Sequence, residues 1–277
     1  MNPRASIDHW LAEPTPKHEP CLFHYTTSEA LLNILVSGNF RLGTYARMND
    51  PRESKQWVAD QLSFPPGSEH LHDEVDRLLR QCVRVGCFTD DDSPSEGADE
   101  GSLFHRGWAR PAVWDRYSRK HQGACLVFDQ VELLSAIRES APLRDGNITS
   151  WGRVTYVDAP LSVPLAGTYS SIEALRTALD DMTTRKGVAS HLYFTKNRDW
   201  ESEREFRAVV LLWDLPETEV HVRLEVPYGD ALKAIVVGEG FQDFVLLDDA
   251  VSKNFQGRAP DILRCSWRAG APALRNV

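Results

Sequence analysis

The sequence predicts an α+β fold with a central, mostly antiparallel sheet flanked by helices. Two patterns predict it. Short apolar runs bounded by turn residues recur at 21–25, 83–89, 124–128 and 232–237, and runs this short read as strands. Strands outnumber what an all-helical fold would show, and runs of strands and runs of helices are mixed along the chain, which gives α+β. The length, 277 residues, allows one large domain. Residues 1–20 are polar and proline-bearing and read as an N-terminal arm. Residues 21–277 read as a single α+β domain.

The elements follow in order. A short helix is expected around Ile7 to Leu11 and a first strand at 21–25. Thr26 followed by Glu29 has the spacing of a capping box, with Leu31, Leu32, Ile34 and Leu35 as the apolar face of a helix that Gly38 ends. A short strand begins at Phe40. Asn49-Asp50-Pro51 is a turn signal. Helices are predicted over 53–62 and 70–83, then a strand at 83–89. The segment 90–101 is acidic and nearly free of apolar residues, as expected of a mobile surface loop. A helix starts at Pro111, placing Trp114, Tyr117, Ser118 and His121 on one face. The strand at 124–128, the helix at 131–138, a strand at 154–157 and a helix at 172–182 come next. Strands at 220–226 and 232–238, a helix at 241–253 and a last strand at 262–267 complete the chain.

The stretch from Tyr193 to Trp213 organises the rest. Its apolar end, 208–213, reads as a buried strand, and charges crowd its start. Alternation along a strand puts Glu203, Glu205 and Arg207 on one face, with Arg204, Phe206 and Ala208 on the other. Such charges are costly to bury unless they pair or line a cleft. Two readings stay open: a salt bridge at a sheet edge, or a functional carboxylate held by its neighbours.

Net charge is −9 with a pI near 5.5, which argues against broad nonspecific binding of nucleic acid. No apolar run is long enough for a membrane span, and the first residues lack a signal-peptide core. A cytoplasmic protein with no membrane partner is expected. The five cysteines include no CxxC pair, so reduced, buried thiols are expected and a zinc site is not.

Six ordered segments carry a resemblance: His24-Tyr25-Thr26, Asn49-Asp50-Pro51 with Glu53, Cys87-Phe88-Thr89, Trp114 to Phe128, Trp200 to Arg207, and Leu232 to Gly238. They resemble, in this order, the motifs of the bacterial domain-of-unknown-function family numbered twenty-nine seventy-one. That family's pattern looks like the ADP-ribosyltransferase fold. The resemblance implies an NAD-dependent ADP-ribosyltransferase, with NAD as substrate and no metal, in the manner of a toxin or phage-defence effector. Its acceptor would be a protein or nucleic acid, and an inhibitor protein is a further implied partner. Carried over, the catalytic set is His24, Tyr117 (or Thr89), Glu205 and Glu203. The NAD-contacting set is His24, Tyr25, Thr26, Asn49, Asp50, Thr89, Trp114, Lys196 and Arg207. This sequence lacks a clear Ser-Thr-Ser strand and carries Arg207 close to the glutamates.

Read residue by residue, several of these have plain structural roles as well. Tyr25 and Trp114 suit the core, Asn49 and Asp50 suit the turn, and Lys196 suits either solvent or a pyrophosphate. In the functional reading Glu205 faces the ribosyl cation formed when the nicotinamide bond breaks. Glu203 deprotonates the acceptor, and Arg207 keeps Glu205 ionised. Two other classes compete. A metal-dependent hydrolase or nuclease would use Asp50, Glu53, Glu203 and Glu205, and a non-catalytic module would use the Glu/Arg cluster as a structural network.

Overall fold

The computed structural model describes residues 9–13, 20–57, 59, 61–92, 102–141, 148–184, 188–213, 215–255 and 257–277. The first half runs β1 (Cys21–Thr26), α1 (Ser28–Ser37), β2 (Asn39–Thr44), α2 (Pro51–Ser54), β3 (Leu62–Ser63), α3 (Leu71–Asp76), β4 (Val83–Asp90), α4 (Pro111–Tyr117), β5 (Ala124–Asp129) and α5 (Gln130–Ser140). The second half runs β6 (Ile148–Arg153), β7 (Thr155–Tyr156), β8 (Gly167–Thr168), α6 (Ile172–Thr184), α7 (Val188–Tyr193), β9 (Thr195–Lys196), β10 (Glu205–Leu211), β11 (Leu224–Pro227), β12 (Leu232–Val237), α8 (Phe244–Asn254), β13 (Asp261–Arg268) and β14 (Ala271–Asn276).

Ten of these strands form one sheet with the path β11-β2-β4-β1-β5-β12-β13-β14, extended by β10 on β4 and β6 on β10. Every pairing in it is antiparallel except β12 with β13. The expected α+β class and mostly antiparallel sheet are therefore present. Three apolar clusters fill the spaces on its faces. One lies under α1, α5 and α8, one under α3, α6 and α7, and one under α4 together with Leu11. Among the described residues no helix is long and apolar enough to cross a membrane.

The sheet is split beside β4. β10 covers one edge of β4 from Val83 to Thr89. On the other edge β1 pairs only at Thr89 and Asp90, and β2 only at Arg84 and Val85. Gly86, Cys87 and Phe88 have no strand partner there. β1 leaves with β5 and β2 leaves with β11, so a wedge opens at the middle of the sheet. An unpaired stretch inside a sheet exposes backbone polar groups that need other partners, and the Cys87 carbonyl finds one in His24.

Several boundaries differ from expectation. The N-cap of α1 is Thr27, whose side chain accepts from the Ala30 amide, while Thr26 ends β1. The Glu29 side chain is in the first turn, without the spacing that a Thr26 cap would give it. The helix expected over 53–62 is a single turn, Pro51–Ser54, because Asp50 caps it and Lys55 is already extended. Helix α4 ends at Tyr117, and Arg119, Lys120 and His121 are all left-handed. Residues 220–223 are not strand: 220 and 221 form a turn, and β11 starts only at Leu224. β6 precedes the strand expected at 154–157, and β14 follows the last strand foreseen. The loop expected at 90–101 is described only to Asp92, where Asp90 still belongs to β4.

Trp10–Ala12 form a 3-10 turn, and Leu11 is fully buried. The Trp108 indole donates to Leu11 O at 2.9 Å.

Candidate functional site

A cleft of about 220 Å³ lies at the split, lined by β1, β4, α4 and the polar ends of β9 and β10. Phe23, Tyr25, Phe88 and Val113 give it apolar walls, and Thr89, Tyr117, Lys196, Glu203 and Glu205 give it a polar floor. Arg47 and Asn49 stand exposed at its mouth. Enclosed apolar walls with a few converging polar groups are the usual form of a small-ligand site.

The charges of the floor belong to an alternating chain that continues behind it to Arg207 and Glu53, neither of which lines the cleft. Glu53, Arg207, Glu205, Lys196 and Glu203 are each no more than 4% exposed, so each charge must be met by its neighbour. Arg207 Nη2 lies 2.5 Å from Glu53 Oε1, although neither Glu53 oxygen has a partner of hydrogen-bonding geometry. The Arg207 guanidinium also donates to both oxygens of Glu205, Nε to Oε1 at 2.7 Å and Nη2 to Oε2 at 3.0 Å, and Nη1 donates to Tyr193 O. Lys196 Nζ then bridges the glutamates, donating to Glu205 Oε2 at 3.0 Å and Glu203 Oε2 at 2.7 Å. Arg116 Nη1 and the Tyr117 hydroxyl both donate to Glu203 Oε1, at 2.6 and 2.7 Å.

Local structure explains how two glutamates two residues apart reach one lysine. Glu203 ends a 3-10 turn, Arg198–Glu203, instead of lying in the strand. Arg204 is left-handed, with φ 47° and ψ 51°, and β10 starts at Glu205. The expected shared face therefore holds for Glu205 and Arg207, and Glu203 joins them by a turn of the backbone. The Glu205 amide donates to the Tyr156 hydroxyl, which anchors the start of the strand.

The charge states follow from these contacts. Burial alone would raise the Glu205 pKa, but Arg207 and Lys196 outweigh it and bring the carboxyl down to about 2. Burial likewise opposes charge on Lys196, and Glu205 and Glu203 more than reverse it. Glu53 differs: burial raises its pKa against the pull of Arg207. The Cys87 thiol, beside Glu205, is pushed up by burial and by that carboxylate.

His24 faces the same opening. Its Nδ1 is 2.9 Å from Cys87 O; a carbonyl only accepts, so Nδ1 carries the proton and Nε2 keeps a lone pair. Burial lowers its pKa, and Phe40 and Phe88 pack edge-on against the ring. The neutral imidazole can accept a hydrogen bond from a hydroxyl at Nε2.

The remaining candidates divide. Tyr25 lines the cleft, but its hydroxyl donates to Gly107 O, and Thr89 donates to the same carbonyl at 2.9 Å. Gly107 has no room for a side chain, since a Cβ would stand 2.2 Å from the Phe23 ring. Asn49 is at the mouth. Asp50 caps α2 through Arg52 N and does not line the cleft. Thr26 lies instead on an adjoining hollow of about 190 Å³ with Asn33, Arg41 and Arg223, which shares His24 with the cleft. Trp114 is fully buried, its indole bound to Trp108 O, and it belongs to the core. Lys196 was expected in solvent or at a pyrophosphate; it is buried between the glutamates because two carboxylates that close require a cation. Sequence reasoning missed Arg116 as a partner of Glu203, and it did not place Glu53 on Arg207. The one signal for the latter was an acid two residues after Pro51, in a turn segment noted above only as a resemblance.

Of the carboxylates of the hydrolase reading, Glu53, Glu205 and Glu203 are separated by Arg207 and Lys196, and Asp50 caps α2. Among the described residues no group of three His, Cys, Asp or Glu is placed to hold a metal ion.

A model of the family described as protein of unknown function (DUF2971) matches residues 113–208. The match supports the resemblance to that family and spans Arg116, Tyr117, Lys196, Glu203, Glu205 and Arg207. No curated protein and no solved structure matches the chain.

Proposed function

We propose that the cleft binds NAD and that the protein transfers ADP-ribose from it to an acceptor, protein or nucleic acid, or to water. One observation carries the reading. A buried glutamate, Glu205, is kept ionised at the floor of a cleft in a split sheet, with a second glutamate, a tyrosine and a neutral histidine facing the same space. Breaking the bond between nicotinamide and ribose C1′ sends the electron pair to the ring nitrogen and leaves cationic character on the ribose. A fixed carboxylate favours that state. The His24 Nε2 lone pair suits a ribose hydroxyl. Phe23, Tyr25 and Phe88 suit a flat ring, and the cleft volume suits the nicotinamide riboside end alone. Glu203 takes the proton of the incoming nucleophile once one of its three donors lets go. A toxin or phage-defence role would follow from what the acceptor is.

The closed bonding of Glu205 favours a second reading, a non-catalytic module whose ion chain only braces the fold. NAD turnover separates the two. In the transferase reading the protein releases nicotinamide from NAD, and chelators leave the rate unchanged. Glu205→Gln folds and binds NAD but turns over about a hundredfold to a thousandfold more slowly. Absence of nicotinamide release from a folded parent protein, with no rise in melting temperature at millimolar NAD, would move the structural reading to first place.

A further inference from the structure

Trp200 is not among the candidates above, yet it touches both cations that hold Glu203. It sits in the 3-10 turn that ends at Glu203, half-buried beside the cleft. Lys196 Nζ lies 4.5 Å from the centroid of its ring and the Arg116 guanidinium carbon 4.6 Å. The two cations bond different oxygens of the same carboxylate, Arg116 at Oε1 and Lys196 at Oε2. Trp200, Arg116, Glu203 and Lys196 thus form a closed circuit of contacts. The circuit matters most for Arg116. Its side chain is 38% exposed, and an ion pair with one partner in water is weak and easily lost. An indole face is the strongest aromatic partner for a guanidinium, and it holds the arginine where water would otherwise release it.

We propose that Trp200 is a positioning residue: its ring fixes Arg116 and Lys196, and through them the orientation of the Glu203 carboxylate that receives the proton of the incoming nucleophile. The proposal rests on the reading of Glu203 given above. Trp200 does not line the cleft, so the consequence falls on the reacting geometry and not on ligand affinity. Small misplacement of a reacting group is enough to slow a reaction strongly.

The test uses the full chain with NAD as the probe and water as acceptor, in Trp200→Leu, Trp200→Phe and Arg116→Met. Nicotinamide release gives kcat and KM. The Lys196 side-chain ammonium, assigned through Lys196→Met, gives a nitrogen-15 resonance that reports on the ring directly. In Trp200→Leu, kcat falls about tenfold or more while KM stays within about twofold, and in Trp200→Phe most of the rate returns. The ammonium resonance moves in Trp200→Leu and stays close to its parent position in Trp200→Phe. Arg116→Met lowers kcat in the same direction, and it decides the kinetic question if Trp200→Leu does not fold. An unchanged kcat in Trp200→Leu overturns the proposal. So does a loss that Trp200→Phe fails to restore, or a joint loss of NAD affinity and thermal stability, which would make the ring a brace. A parent protein that does not turn over NAD overturns the functional reading instead. The ammonium resonance then decides the structural half of this proposal: unmoved in Trp200→Leu, it ends it; moved in Trp200→Leu and kept in Trp200→Phe, it upholds the ring's hold on Lys196.

Discussion

Two clusters of arginine and acid stand at the C-terminal end of β4, and they are built differently. At and behind the cleft floor, charges alternate from Glu203 to Glu53 with almost no solvent contact. A few residues away, Asp90, Asp91 and Asp92 are met by Arg153, Arg106 and Arg110, and Arg204 approaches Asp92 at 3.6 Å. There Arg106 is buried on Asp91, but the outer arginines reach water, Arg153 63% exposed and Arg204 52%. Residue types and distances are much the same. The difference is water. An exposed pair that loses one partner is resolvated, whereas a buried charge that loses its partner is stranded. The same substitution should therefore read out as a stability change of different size in the two clusters.

The largest effect should come from Arg207→Ala. It leaves Glu53 and Glu205 buried without the guanidinium between them, and opens a void beside Tyr45, whose ring lies 5.9 Å from the guanidinium. A loss of about 3–5 kcal/mol is expected from breaking such a buried pair, measured by denaturant unfolding. Arg153→Ala in the other cluster should lose less than about 1 kcal/mol. Equal losses would break the comparison.

Acid should sharpen it. The folded Glu205 pKa, about 2, lies below its ordinary 4.5. Its charged form therefore favours the fold, with a contribution present above about 4.5 and lost as pH falls through about 2. The size is on the order of 3 kcal/mol. Glu53 works the other way: its raised pKa favours the fold at low pH, and that contribution is lost as pH rises. Unfolding between pH 2 and 5 should be steeply pH-dependent in the parent protein. The dependence should flatten in Glu205→Gln and steepen in Glu53→Gln. Curves that coincide for all three proteins would detach the cluster from acid stability.

Much of this was legible in the sequence. The apolar runs at 83–89, 124–128 and 232–237 became strands because nothing competes with a buried apolar run between turn residues. The pairing of Glu205 with Arg207 followed from alternation alone. Other features were not legible because they come from tertiary placement. The lysine of a polar stretch, Lys196, is buried only because α7 and β9 bring it under β10. The split beside β4 depends on β1 and β2 leaving in different company. β14, with Pro272 inside it, is tolerated because it is the sheet's last strand and pairs on one side only. The Thr26 cap was misplaced by one residue, since two threonines in a row offer the same signal.

Arg204 offers the smallest and most discriminating test, because it joins the two clusters. It lies between the glutamates of the buried one and reaches toward Asp92 of the exposed one. Its left-handed backbone is disfavoured for any residue with a Cβ, and this turn is what lets Glu203 and Glu205 share Lys196. Glycine adopts that conformation freely. Arg204→Gly should keep the turn and the Lys196 bridge, give up only the 3.6 Å exposed contact, and lose some unfolded-chain restriction. These small terms nearly cancel, so stability should change by no more than about 0.5 kcal/mol. Arg204→Val should instead cost about 1–2 kcal/mol, since a β-branched residue resists positive φ. If the turn orients the glutamates, Arg204→Val should also lower NAD turnover, and Arg204→Gly should not. A valine variant as stable and as active as the glycine one would mean that the position of Glu203 is set by its three donors and not by the backbone.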